Sequence, residues 1–264
     1  MPKTLPLLYL SMFCLVLTSP SIAQDGPSFD CQLAKSQVEH AICSDPKLSH
    51  MDQALANAYK SATASAVSAQ APTRESQRAW LQARSGICVA PADWAPLFRK
   101  PVADNLAACL TTLYQNRIQE LEGGDPSSFS VYWRAESKTA YAITGDILLS
   151  ANHLILGGGH EIQIPLVKTL PQTHAMNDSG FDDAATLQLF KIWKGSSWKL
   201  IGGNTLCGPG EVPTYLVLAQ TDHNRSLSMA VFKGPTEPRW EKPSLENTHD
   251  LCGTYWFVRD TPKP

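Results

Sequence analysis

The sequence lacks the features that most often mark an enzyme or a nucleic-acid binder. No Gly-x-Ser-x-Gly occurs, so the turn that presents a hydrolase serine is missing. No two cysteines stand two to four residues apart, so the paired-cysteine pattern of the usual zinc sites is missing. Neither sign of charge is in excess. The 22 Lys and Arg residues face 24 Asp and Glu residues, so the chain has no surplus of cations for a phosphate backbone. A spanning apolar run is also missing, since Leu5 to Leu17 falls short of the roughly 20 residues that a bilayer requires.

What is present begins with a targeting pattern. Lys3 supplies a positive start, Leu5 to Leu17 an apolar stretch, and Ser21-Ile22-Ala23 a small-x-small cleavage signal. Residues 1–23 are therefore expected to be a signal peptide, cut near Ala23, leaving an exported chain with no retained membrane anchor. Cys14 lies inside the apolar stretch behind Met12 and Phe13, where a lipid-attachment site would need small residues, and is expected to leave with it.

Export changes the meaning of the remaining six cysteines, because an even number in an oxidising compartment reads as disulfides. Six cysteines allow about fifteen connectivities. The spacing groups them as Cys31 with Cys43, Cys88 with Cys109 and Cys207 with Cys252, each pair inside one apparent structural unit. Each closed loop would contribute about 3 to 4 kcal/mol in the chain-entropy picture. With every mature cysteine paired, no free thiolate is left for catalysis.

The periodicity divides the mature chain into a helical domain at 24–124 and a β domain at 125–264. Ser36-Gln37-Val38-Glu39 has the form of a capping box, and Asp45-Pro46 offers a second helix start. Leu48, Met51, Leu55, Tyr59 and Ala62 follow at helical spacing. Pro72-Thr73 reads as a break, with Thr73 as N-cap of a helix on which Gln77, Trp80, Leu81 and Arg84 share a face, and Gly86 as its C-terminal stop before Cys88 opens a loop. A last helix carries Leu106, Cys109, Leu110, Leu113, Tyr114, Arg117, Ile118 and Leu121, and ends at Gly123-Gly124-Asp125-Pro126.

From about Phe129 the pattern alternates. Strands are expected at Tyr141 to Ser150, His153 to Leu156, Ile162 to Val167, Leu187 to Trp193, Trp198 to Ile201, Tyr215 to Gln220, Leu227 to Phe232 and Tyr255 to Val258. Many short strands without helices between them indicate an antiparallel sandwich or small barrel, so the fold class is α+β. Gly157-Gly158-Gly159 before His160 lacks the Lys-Ser/Thr of a phosphate loop and reads as a turn. Asn177 to Asp183 is acidic enough to raise calcium, but it lacks the spacing and terminal Glu of an EF-hand loop and also reads as a turn. No cofactor or metal is expected.

One resemblance covers part of the chain. Phe29-Asp30-Cys31, Val38-Glu39-x-Ala41-Ile42-Cys43, Asp45-Pro46-x-Leu48, Asp52, Leu55, Tyr59, Gln77-x-x-Trp80-Leu81-x-x-Arg84, Cys88, Cys109-Leu110 and Arg117-Ile118-x-x-Leu121 together resemble the LprI-type lysozyme-inhibitor domain. It spans roughly 28 to 122, and the second half resembles nothing with an assigned activity. The resemblance implies a periplasmic or secreted protein that binds and inhibits lysozyme or a related cell-wall glycosidase, with no catalytic residue of its own.

Candidate contact residues follow from where loops interrupt the scaffold. Trp80 and Arg84 have the chemistry of interface anchors, but their place on a core-facing stripe favours packing and an ion pair. The segment between Cys88 and Cys109 holds Trp94, Phe98, Arg99 and Lys100 among three prolines, and a loop on a rigid scaffold is the better contact candidate. Its cations suit the paired carboxylates of a glycosidase cleft. The plainer readings, aromatic rings covering the helices and solvated cations, stay open. A second hypothesis makes the β domain a binding module for a small ligand or envelope component, with the helices as adaptor. A periplasmic hydrolase built around His153, His160, Asp178, Asp182 or Asp183 ranks last for want of a nucleophile. Oligomeric state is not legible in the sequence.

Overall fold

The computed structural model describes residues 26–65, 67–89, 106–170, 186–193, 200, 203–221, 225–238 and 250–259. Among them are four α-helices and nine strands, in that order along the chain.

The helical region starts with two capping devices. The Ser36 hydroxyl accepts from the Glu39 N–H at 3.1 Å, while the Glu39 carboxylate accepts from the N–H groups of Lys35 and Ser36 at 2.8 and 2.9 Å, so α1 (Gln37–Ser44) opens with its free donors satisfied. The Asp45 carboxylate then accepts from Lys47 and Leu48, and Pro46 opens α2 (Pro46–Ser65). Two expectations fail at the next helix. Instead of breaking at Pro72, α3 runs Val67–Cys88 with the proline inside it, and Thr73 is no N-cap. The Thr73 hydroxyl is buried and donates back to the Ala69 carbonyl at 2.7 Å, four residues earlier on the same helix. Gly86 is no stop either. It lies inside α3, and Cys88 is the helix's last residue rather than the first of a loop.

Helix α4 (Leu106–Gly123) packs chiefly on α2 and also on α3, and its core face is the one that the spacing predicts. Disulfides join Cys31 to Cys43 and Cys88 to Cys109. The predicted stripe on α3 needs one correction: Trp80 is buried, but Leu81 is 43% exposed, because it stands about 100° around the helix from Trp80.

The strands are β1 (Val131–Ala135), β2 (Ile147–Leu149), β3 (His153–Leu156), β4 (His160–Gln163), β5 (Leu166–Leu170), β6 (Thr186–Lys191), β7 (Pro213–Thr221), β8 (Ser226–Lys233) and β9 (Leu251–Val258). They form one antiparallel sheet in the order β4-β3-β2-β1-β9-β8-β7-β6-β5. Its two outer strands are consecutive in the chain, separated only by Ile164 and Pro165. The Ile164 N–H donates to Asn152 on one side, at 2.8 Å, and the Gln163 and Pro165 carbonyls accept from Trp193 and Lys191 on the other, at 3.0 and 3.1 Å. β4 and β5 are therefore halves of one strand, bent at a proline that has no N–H to give, and the sheet closes into a barrel. That bend is why Ile162 to Val167 is not one straight strand.

Inward side chains from all around this ring form one cluster, including Trp133, Leu149, Leu154, Ile162, Phe190, Leu218, Met229 and Phe257. Leu187, Leu189, Val217 and Ala219, at the alternate positions of β6 and β7, make a second cluster on the outer face. Cys207 is bonded to Cys252. Besides that bend, the sequence reading differs from the barrel in two places. It passes over β1. It expects a strand from Tyr141, where Ala140–Thr144 instead forms a π-helical turn, held by the Ser137 hydroxyl accepting from the Ala140 N–H and closed by Gly145 at φ +61°. The expected hairpin strand Trp198 to Ile201 and the acidic turn Asn177 to Asp183 fall outside the described residues except for Leu200.

The two regions share a core. Leu148 and Ile155, on the outer face of β2 and β3, belong to the same cluster as Trp80, Ile87, Leu110 and Leu113. A Cβ at Gly86 would lie 2.6 Å from Asp146 Oδ2 and closer still to the Tyr132 hydroxyl, so this glycine lets the end of α3 approach β1 and β2. The glycine turn does the same from the other side. Gly158 donates to the Ile87 carbonyl at 2.8 Å, and a Cβ on Gly159, at φ +79°, would come within 2.7 Å of Cys109 Cα.

Candidate functional site

The polar residues of the helical motifs converge inward. Asp52 of α2 accepts from the Tyr114 hydroxyl at 2.6 Å and from the N–H and hydroxyl of Ser28 at 2.8 and 2.6 Å. Arg84 of α3 donates to the Tyr114 oxygen at 2.8 Å and stands 3.8 Å from Asp52. Trp80 meets Tyr114 edge-on at 5.1 Å between ring centres, and the Arg84 guanidinium lies 5.8 Å from the Trp80 ring. Burial, more than the neighbouring Asp52, pushes the Tyr114 phenol far above its ordinary value, so it remains a hydrogen-bond donor at any physiological pH.

A second network ties α3, α4 and the start of the barrel. Arg117, 1% exposed, donates to the Gln77 side chain at 2.9 Å and pairs with Glu120 at 2.9 Å. Glu120 in turn accepts from the N–H and hydroxyl of Ser130, and the Arg117 guanidinium covers the Phe129 ring at 4.6 Å. Burial lowers the Arg117 pKa, and the Glu120 carboxylate opposes that shift. Trp80, Arg84 and Arg117 thus hold three helices and the linker together rather than face a partner.

Trp94, Phe98, Arg99 and Lys100 lie outside the described residues. Their anchorage is described. The Cys88–Cys109 disulfide holds the flanking helix ends with Cα atoms 5.6 Å apart, and Gly158 and Gly159 of the barrel pack against that junction. Any contact made by residues 90–105 starts from a base fixed on both helices and barrel.

The described residues do not assemble hydrolytic chemistry. His153 is 3.5 Å from Glu161, a partly exposed pair on adjacent strands, while His160 sits in the β4 start with its pKa lowered by burial. No group of three or more His, Cys, Asp or Glu residues capable of holding a metal ion occurs among them. Asp178, Asp182 and Asp183 are outside them.

A feature that the sequence reading missed is a cleft of about 260 Å³ at one mouth of the barrel. Residues of β1, β2, β5, β6 and β7 surround it. Val131, Trp133, Leu149 and Phe190 line it from inside the barrel, Phe129 with Ser127 and Ser128 closes one side, and Gln188, Gln220, Ser150, Ala151 and Leu166 complete the lining. In the sequence its only signal is Gln188 and Gln220, polar residues at inward positions of β6 and β7 whose inward neighbours are Phe190 and Leu218.

Residues 30–121 match the model of a family described as Lysozyme inhibitor LprI. The match covers the helical region and stops before β1, and no family model matches the barrel. No curated protein and no solved structure matches the chain. No helix among the described residues is long and apolar enough to cross a membrane.

Proposed function

We propose that this chain is an exported, non-enzymatic protein that binds lysozyme or a related cell-wall glycosidase and inhibits it by occluding the substrate cleft. The observation that carries this reading is the family match over residues 30–121, a family described as an inhibitor. Occlusion needs no chemistry from the inhibitor. It needs a segment that fills the cleft between two catalytic carboxylates, and a scaffold rigid enough that binding costs little ordering entropy. The disulfides of the helical region and the fixed base of residues 90–105 provide that scaffold, and Trp94, Phe98, Arg99 and Lys100 are the proposed contacts. Paired cysteines and the N-terminal signal pattern support export.

The test is a muramidase assay against a panel of lysozyme types, using the whole mature chain. An isolated fragment of residues 24–124 would lose Leu148 and Ile155 from its own core, so its silence would say little. Dose-dependent inhibition that disappears on reduction and alkylation, and weakens at least tenfold in Arg99→Ala/Lys100→Ala, is the expected result. No inhibition of any lysozyme by the folded, oxidised chain would overturn the reading.

A further inference from the structure

The barrel-mouth cleft has the composition of a ligand site, and its composition selects a chemical class. Its floor is apolar, made by Val131, Trp133, Leu149 and Phe190, while amides and hydroxyls from Gln188, Gln220 and Ser150 stand at its edge. Among the described residues no charged side chain lines it. A charged ligand entering would give up hydration without meeting a counter-charge, which is costly, whereas a neutral polar group loses little where amides can both donate and accept. The volume, about 260 Å³, falls just below the range of drug-sized ligand pockets and suits only a small molecule.

Two further observations point the same way. Leu166 is 49% exposed on the cleft's edge, an apolar side chain that an occupant would cover. Trp133 is 1% exposed and its indole N–H has no hydrogen-bond partner among the described residues. The wall formed by Phe129 is fixed from behind by Arg117, and the adjoining Ser130 by Glu120, so the cleft keeps its shape between the barrel and the helices. We propose that this cleft binds a small neutral molecule with an apolar body and an amide or hydroxyl end, the apolar part seated between Val131 and Leu166 above the buried Trp133 and Phe190, and the polar end meeting Gln188 and Gln220.

The proposal goes beyond glycosidase inhibition and is tested without lysozyme. Hexanamide is titrated into the 15N-labelled mature chain, alongside hexanoate and hexylammonium as probes of equal length and opposite charge. The indole cross-peak of Trp133 is assigned through Trp133→Phe, and the side-chain amide peaks of Gln188 and Gln220 through their Asn variants. Expected are saturable shifts of these peaks with hexanamide, at least tenfold weaker binding of both charged probes, and loss of the shifts in Ala151→Trp, which crowds the cleft from an exposed turn position. Gln220→Glu should reverse the order and favour hexylammonium. Absence of saturable shifts, equal shifts in Ala151→Trp, or equal affinity for the charged probes would each overturn the proposal.

Discussion

The helical region and the barrel solve the same problem, a stable interior in a modest chain, with opposite materials. In the helical region the interior is partly polar. Asp52, Arg84, Tyr114, Arg117 and Glu120 are satisfied chiefly by one another and by Ser28, Gln77 and Ser130, and two disulfides hold the helices that carry them. The barrel interior is almost wholly apolar among the described residues, with the inward-facing Gln188 and Gln220 beside the cleft. A polar network accepts few substitutions, because each partner left behind is a buried unpaired group. An apolar barrel tolerates change as long as volume is kept.

That contrast can be broken most directly at Trp80. Trp80→Ala removes the ring that packs edge-on against Tyr114 and should destabilise the chain by about 3 to 5 kcal/mol. Because the helices share Leu148 and Ile155 with the barrel, helix circular dichroism and barrel near-ultraviolet signals should melt together in the wild type. In the variant the helix signal should be lost first. Coincident melting in both proteins would mean the two interiors are one unit. Asp52→Ala tests the polar network itself, leaving Arg84, Tyr114 and Ser28 without their shared acceptor at a cost of about 3 kcal/mol by urea denaturation. A cost below about 1 kcal/mol would show that the network contributes specificity more than stability. The junction is tested by Gly86→Ala, whose added methyl must push aside Tyr132 and Asp146. It should cost about 1 to 3 kcal/mol, although alanine is otherwise the better helix residue. A stabilised variant would show that the approach of α3 to the barrel is looser than this geometry requires.

Local chemistry was legible in the sequence wherever it acts within a few residues. The Ser36–Glu39 capping box, the Asp45-Pro46 start and the α4 stripe could be read because their partners lie within one or two turns. Pro72 and Gly86 misled for the complementary reason. Each has a strong local meaning that tertiary contact overrides: α3 continues through Pro72 because Thr73 and Trp80 are buried against the other helices, and Gly86 serves an approach to residues far along the chain. The sequence left sandwich and small barrel as alternatives, because closure depends on Pro165 bending one strand between two distant neighbours. The cleft was invisible since Val131, Gln188 and Gln220 meet only after closure. Its clue, two glutamines in apolar alternation, says polar end but not pocket.

The smallest effect, and the one most confined to the helical region, concerns acid. The Glu39 carboxyl is held down at about 2, first by the Lys35 N–H and then by the N–H and hydroxyl of Ser36. An unfolded glutamate titrates near 4.3. The folded state therefore binds this proton more weakly, so the contribution to stability is complete above about 4.5 and is lost as pH falls through about 2. The group is exposed, so solvent screening should keep the effect under about 1 kcal/mol. Glu39→Gln retains an acceptor at the same place but cannot titrate. Wild type should exceed the variant in urea midpoint at pH 6 by that small margin, and the gap should narrow as pH falls below about 4.5 and close only below about 2, with the change read in the helix signal rather than the barrel's. A gap that stays constant across this range would mean the cap works through hydrogen-bond geometry alone. The charge at the start of α1 would then add nothing to the rigidity that sets this region apart from the barrel.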